Sequence, residues 1–107
     1  MAALALVLMT APSEEVAAGI GQKLVEERLV ACANLVPRIR SIYAWKGTLC
    51  DEGETLCILK TRPELFAALE RRIHELHPYE VPEMVMLEAD GVGAAYLAWV
   101  LASTRDG

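Results

Sequence analysis

The chain has 107 residues, a net charge of −5 and a 54% hydrophobic composition. That length fits a single domain, residues 1–107, able to bury a core of its own. The acidic balance argues against nucleic acid as a partner: phosphate binding relies on clustered Lys and Arg, and Arg38, Arg40, Lys46, Lys60 and Arg62 are scattered.

The hydrophobic share exceeds that of an ordinary globular domain. Either a membrane segment or surface shared between copies would explain it. The longest uncharged runs, Met1 to Ser13 and Gly91 to Thr104, are shorter than the ~18 apolar residues of a spanning helix. No membrane is therefore expected as a partner, and an oligomer is. Met1 to Thr10 imitates a signal-peptide core but lacks the basic leading segment. Cys32, Cys50 and Cys57 are an odd number without a Cys-x-x-Cys pair, which suits reduced thiols. The expected location is cytoplasmic.

In chain order, Ala3 to Thr10 is a continuous apolar run, the mark of a central strand. Ala11-Pro12-Ser13 turns the chain, and Ser13 is placed to cap a helix whose first residues, Glu14 and Glu15, favour its positive end. The helix is expected to run to about Leu29, burying Val16, Ile20 and Leu24. Ala31 to Gly47 is rich in Val, Ile, Tyr and Trp and reads as one long strand bent at Pro37. Sixteen residues of strand would span roughly 50 Å, against a radius of gyration near ~13 Å for a domain of this size. Such a strand must fold back or reach a neighbour.

Gly47 to Gly53 reads as an acidic loop, and Glu54 to Thr61 as the returning strand of a hairpin. Cys50 and Cys57 are candidates to face each other across it. Arg62-Pro63-Glu64 opens a second helix, with Leu65, Phe66, Leu69, Ile73 and Leu76 at helical spacing. That helix stops before Pro78, because the residue ahead of a proline is pushed out of the helical region. Val81 to Ala89 reads as a fourth strand, and Ala94 to Ser103 as a final helix. The order β-α-β-β-α-β is the split βαβ pattern of an α+β, ferredoxin-like sandwich, here with an extra C-terminal helix. Right-handed crossovers put both main helices on one face of the sheet.

Chemistry-bearing residues are few. His74 and His77 are three apart, Met84 and Met86 alternate, and the cysteines are soft ligands suited to copper(I). None of these spacings is a recognised ligand signature, and surface histidine, capping histidine, core methionine and inert thiol are the simpler readings. His77-Pro78-Tyr79-Glu80-Val81-Pro82-Glu83 is a polar segment stiffened by two prolines, a candidate ligand loop with Lys60 as a cationic partner. Histidine, carboxylate and tyrosine together can do acid–base work. No nucleophile pattern or phosphate loop accompanies them, and no residue is assigned a catalytic role. Tyr43, Trp45 and Trp99 are candidate interface anchors, since aromatics bury large area with few rotatable bonds.

The segments Ala31-Cys-Ala-Asn-Leu-Val-Pro37, Ser41-Ile-Tyr-Ala-Trp-Lys-Gly47, Ile58-Leu-Lys-Thr61, His77-Pro-Tyr-Glu-Val-Pro-Glu83 and Tyr96-Leu-Ala-Trp99 together resemble the signature segments of the CutA family, the divalent cation tolerance proteins. The resemblance covers nearly the whole chain, in order. It implies a ferredoxin-like subunit in a homotrimer with strands pairing between subunits, similar in shape to the PII nitrogen-signalling proteins. It also implies tolerance of copper and other divalent cations, bound weakly or transiently. Cys32, His77 and Glu83 are the metal candidates that follow, and Cys32 is the only cysteine within a motif. Two other readings stand beside this one. In the first, a sensor or enzyme takes a small molecule in an intersubunit cleft lined by Trp45, Lys60 and Tyr79. In the second, a structural trimer serves as an adaptor for a protein partner.

Overall fold

The computed structural model describes residues 3–106, so the first two residues of the apolar N-terminal run and the last residue of the domain lie outside it. The observed order is β1 (Ala5–Ala11), α1 (Glu14–Glu26), β2 (Cys32–Trp45), β3 (Thr48–Thr61), α2 (Phe66–Leu76), β4 (Val85–Glu88) and α3 (Ala94–Ser103). The four strands form one antiparallel sheet in the order β2-β3-β1-β4. This is the expected α+β, ferredoxin-like arrangement with an added C-terminal helix.

Alternation along the strands assigns the two faces of the sheet. Val7, Met9 and Ala11 of β1 and Cys57 and Leu59 of β3 turn toward Ala17, Ile20 and Leu24 of α1 and Leu69 and Ile73 of α2. These residues form the main core. The opposite face carries Leu6 and Leu8, Leu56 and Ile58, and Val85 and Leu87, and α3 covers only one end of it through Leu97 and Val100. Val85 and Leu87 stay 46% and 49% exposed.

Helix α1 starts where expected, with the Ser13 side chain accepting from the Val16 amide at 3.2 Å. It ends earlier than the apolar pattern suggests. Leu29 N–H donates to the Leu24 carbonyl and Arg28 N–H to that of Val25, while Arg28 takes a φ of 60°. This is a Schellman stop with arginine where glycine is usual, so no glycine announced it. Leu29 is buried past the helix end, against the face that Leu24 supplies. The Arg28 and Arg62 side chains then donate to carbonyls of residues 101–104, tying the end of α3 to the sheet.

The expected acidic loop at residues 47–53 does not exist. Trp45 pairs with Thr48, and the chain reverses through Lys46 and Gly47 alone, at φ 50° and 80°. Two positive φ values in a two-residue connection give the turn whose twist matches that of paired strands. Residues 48–53 therefore continue β3, and the hairpin has strands of 14 residues each. The partner of Cys50 is Tyr43 and that of Cys57 is Leu35, so the two cysteines lie on one strand and do not face each other.

Strand β1 covers β3 only from Thr55 to Thr61. Beyond that the hairpin is a two-stranded ribbon, which gives the molecule its 44 Å long axis against 25 and 22 Å. The bend expected at Pro37 is a β-bulge: Val36 pairs with Leu56 and Ile39 with Glu54, leaving Pro37 and Arg38 opposite Thr55 alone. Arg38 adopts a φ of 59° there. The fourth strand is shorter than the expected Val81 to Ala89, because residues 77–84 are held in irregular backbone and only Val85–Glu88 pairs with β1.

Gly47→Ala tests the turn. No atom lies within 4 Å of a Cβ built there, so the cost is conformational alone. A lowered thermal midpoint corresponding to about 1–2 kcal/mol is expected.

Candidate functional site

The bulge decides what the ribbon presents. Before it, Cys32, Asn34 and Val36 share the open face of the sheet; after it, the extra residue hands that face to Ile39, Ser41, Tyr43 and Trp45. These join Glu54 and, from β1, Thr10. The segment after α2 closes the other side. Ribbon and segment enclose a cleft of about 660 Å³ whose walls include Tyr43, Trp45 and Tyr79, with carboxylates from Glu54, Glu80 and Glu83.

His77 builds the closing segment. It is 7% exposed, its Nε2 lies 2.7 Å from the Thr10 carbonyl, and the Tyr79 backbone N–H donates to Nδ1 at 3.1 Å. A ring whose Nδ1 accepts must carry its proton on Nε2 and donate to Thr10. The Tyr79 ring lies 4.6 Å from the imidazole, and its hydroxyl donates to Glu54 Oε2 at 2.6 Å. His77 thus positions Tyr79, and Tyr79 meets Glu54. Burial, followed by the bond to Glu54, pushes the Tyr79 phenol well above its ordinary range, so it remains a proton donor. Glu54 is only 7% exposed, and among the described residues no Lys, Arg or His forms an ion pair with it. At the rim, Lys46 Nζ lies 3.4 Å from Glu80 Oε2 and 5.8 Å from the Trp45 ring centre.

Cys32 and Lys60 lie elsewhere. They are register partners on the open face, in the row of Leu6, four residues or roughly 13 Å along the strands from Thr10. Cys32 Sγ is 3.6 Å from the Tyr96 hydroxyl, and Lys60 donates to Asn34 Oδ1. The structure therefore brings Trp45, Tyr79 and Glu83 around one cleft and leaves Lys60 and Cys32 outside it. His77 lies behind the cleft, with both ring nitrogens engaged. Among the described residues of one copy, no three His, Cys, Asp or Glu side chains converge to hold a metal ion. Tyr43 and Trp45 are 39% and 43% exposed on the ribbon, and Trp99 is 47% exposed on α3.

The family model described as "CutA1 divalent ion tolerance protein" matches residues 5–103. The chain belongs to this CutA1 family. It is similar to the divalent-cation tolerance protein CutA of Thermus thermophilus, at 46% identity over 92% of this chain and 96% of that one. Protein CutA of Mus musculus is 44% identical over 86% of this chain, which spans about half, 52%, of the mouse protein. The crystal structure of CutA1 from Oryza sativa superposes with a TM-score of 0.95 at 36% identity, covering 99% of this chain and 97% of that one.

In this CutA1 chain the sequence pattern missed Glu54 as a site residue. It stands in an alternating row with Leu56, Ile58 and Lys60, a carboxylate at the end of an otherwise mainly apolar row, and that was the available signal. Removing its donor should be costly. Tyr79→Phe is expected to destabilise the protein by about 1–3 kcal/mol, read from thermal unfolding, because a buried carboxylate loses its bond. A second expectation concerns the core. Burial pushes the Cys57 thiol up to about 11 from its ordinary 9.0. A raised pKa favours the neutral thiol in the folded protein, so this contribution to stability is complete below about pH 9 and fades as pH rises toward 11. At pH 8 only about one Cys57 in a thousand is thiolate, and iodoacetamide should label it only after unfolding.

Proposed function

We propose that the chain acts as a homotrimeric divalent-cation tolerance protein in which copies cover one another's open sheet faces. The observation that carries this is the apolar surface one copy leaves uncovered: on the open face Tyr43 is 39%, Trp45 43%, Val85 46% and Leu87 49% exposed, and on the other face of the ribbon Ile42 is 62% and Leu49 76% exposed. A monomer rarely leaves so many large apolar groups together in water. The free edges of the ribbon and of β4 are suited to strand pairing between subunits. Copper or another divalent cation is bound weakly or transiently. Since the donors among the described residues of one copy do not close a coordination shell, a site draws on more than one copy, with the partly exposed, disulfide-free Cys32 as its soft ligand. Unpaired thiols also support a cytoplasmic location. No described helix is long and apolar enough to cross a membrane.

A second reading, a small-molecule sensor of PII type, is supported by the 660 Å³ cleft and its aromatic walls. A protein partner on the ribbon belongs to the adaptor reading.

Light scattering should give three times the mass of one chain, and Leu87→Glu, which puts a charge on the open face, should shift it toward smaller species. Titration with copper(I) should show at least tenfold weaker binding in Cys32→Ala and little change in His77→Ala, whose ring is already engaged. Unchanged binding in Cys32→Ala would remove the thiol from the site.

A further inference from the structure

We infer that the cleft between the ribbon and residues 78–83 is a binding site for a small organic ammonium ion. This rests on the reading of the cleft as a ligand site and specifies the chemistry of what it takes.

Three observations converge. The first is the unbalanced buried charge. Glu54 is 93% buried within one copy, lines the cleft, and meets a phenol but no cation among the described residues of that copy. A carboxylate removed from water is favourable only when its charge is met, and a phenol supplies one hydrogen bond without supplying charge. The second is the wall. Tyr43, Trp45 and Tyr79 line the cleft, and aromatic rings attract a cation through their negative quadrupoles. The third is an ammonium already at the rim. Lys46 Nζ sits over Trp45 at 5.8 Å and beside Glu80 at 3.4 Å, so an alkylammonium of the chain itself already meets one ring and one carboxylate of the cleft's lining. The Lys46 side chain is 69% exposed, so it is held loosely and can be displaced.

The same geometry disfavours a bare metal ion. Glu54, Glu80 and Glu83 line one cleft, yet no three carboxylates or other donors converge on a point. A small, strongly hydrated cation needs several oxygens at bonding distance. An organic ammonium does not: its charge is met by one carboxylate while its carbon atoms lie against rings. The volume of about 660 Å³ fits a small metabolite, not a lone ion.

The probe is n-butylammonium chloride, the end of a lysine side chain made free. It is added to the intact oligomer at constant ionic strength and followed by saturation-transfer NMR of the ligand. The controls are n-butanol, of similar shape but neutral, and sodium chloride. Saturable transfer from butylammonium and none from butanol is expected. Glu54→Gln should weaken binding at least tenfold. Lys46→Asn removes the internal competitor with a residue that tolerates positive φ, and should tighten binding severalfold. Because Lys46 is exposed, this variant reports even if Glu54→Gln fails to fold. Saturable binding of butanol but not butylammonium would overturn the ammonium assignment and leave the cleft a ligand site. Absence of binding by either, in the parent and in Lys46→Asn, would overturn both. Butylammonium binding that Glu54→Gln and Lys46→Asn leave unaltered would overturn the assignment to this cleft.

Discussion

Two strands of 14 residues share a sheet with one of seven, and the rest of the molecule is arranged around that mismatch. A strand gains stability from pairing and from a buried face. Half of the hairpin has the first without the second, since β1 stops at Ala11 and the helices do not reach further. An isolated two-stranded ribbon is marginal in water. Its stabilisation comes from the tight turn at Lys46–Gly47, from local pairs such as Arg40 with Asp51, and from the closing segment that meets it across the cleft. The Arg40–Asp51 bond is bidentate, at 2.8 and 2.7 Å, but exposed, so its weight is small. What remains is apolar surface that a second copy of the chain is suited to bury.

The cleft inherits its character from the same mismatch. Had β1 been longer, a third strand would lie where the cleft is, and Glu54 would need a partner inside the sheet. Instead, residues 77–84 give up regular pairing to hold His77 against Thr10 and bring Tyr79 to Glu54. Positioning comes from a neutral histidine used as a two-ended spacer, and charge from a carboxylate the spacer does not touch.

Much of the fold was legible in the residues because it depends on local patterns. The apolar run at Ala3 to Thr10, the helical spacing from Leu65 to Leu76 and the proline stop at Pro78 each follow from one element's own chemistry. Misreadings fall where two elements decide together. Residues 47–53 look like a loop because Gly47 and Gly53 bracket acidic residues, yet pairing with β2 makes them strand. Val81 to Met84 have strand composition, yet His77 and the two prolines hold them off the ladder. Arg28 ends α1 in a conformation usually marked by glycine. The candidate site divides in the same way. Trp45, Tyr79 and Glu83 could be named from composition, but Glu54 acquires meaning only from register, and Lys60 lost its place in the cleft for the same reason.

The bulge at Pro37 and Arg38 has an evolutionary reading. Side chains on a strand alternate, so one residue more or less exchanges the two faces of everything beyond it. The bulge absorbs that exchange: with Val36 opposite Leu56 and Ile39 opposite Glu54, a single-codon deletion at that point would leave one residue opposite Thr55 and keep Ser41, Tyr43 and Trp45 on the Glu54 face. The position is a parity buffer: the loss of one residue there is taken up locally, while the pairing on either side is kept. Length can change there in one step without changing which side chains the ribbon presents on each face.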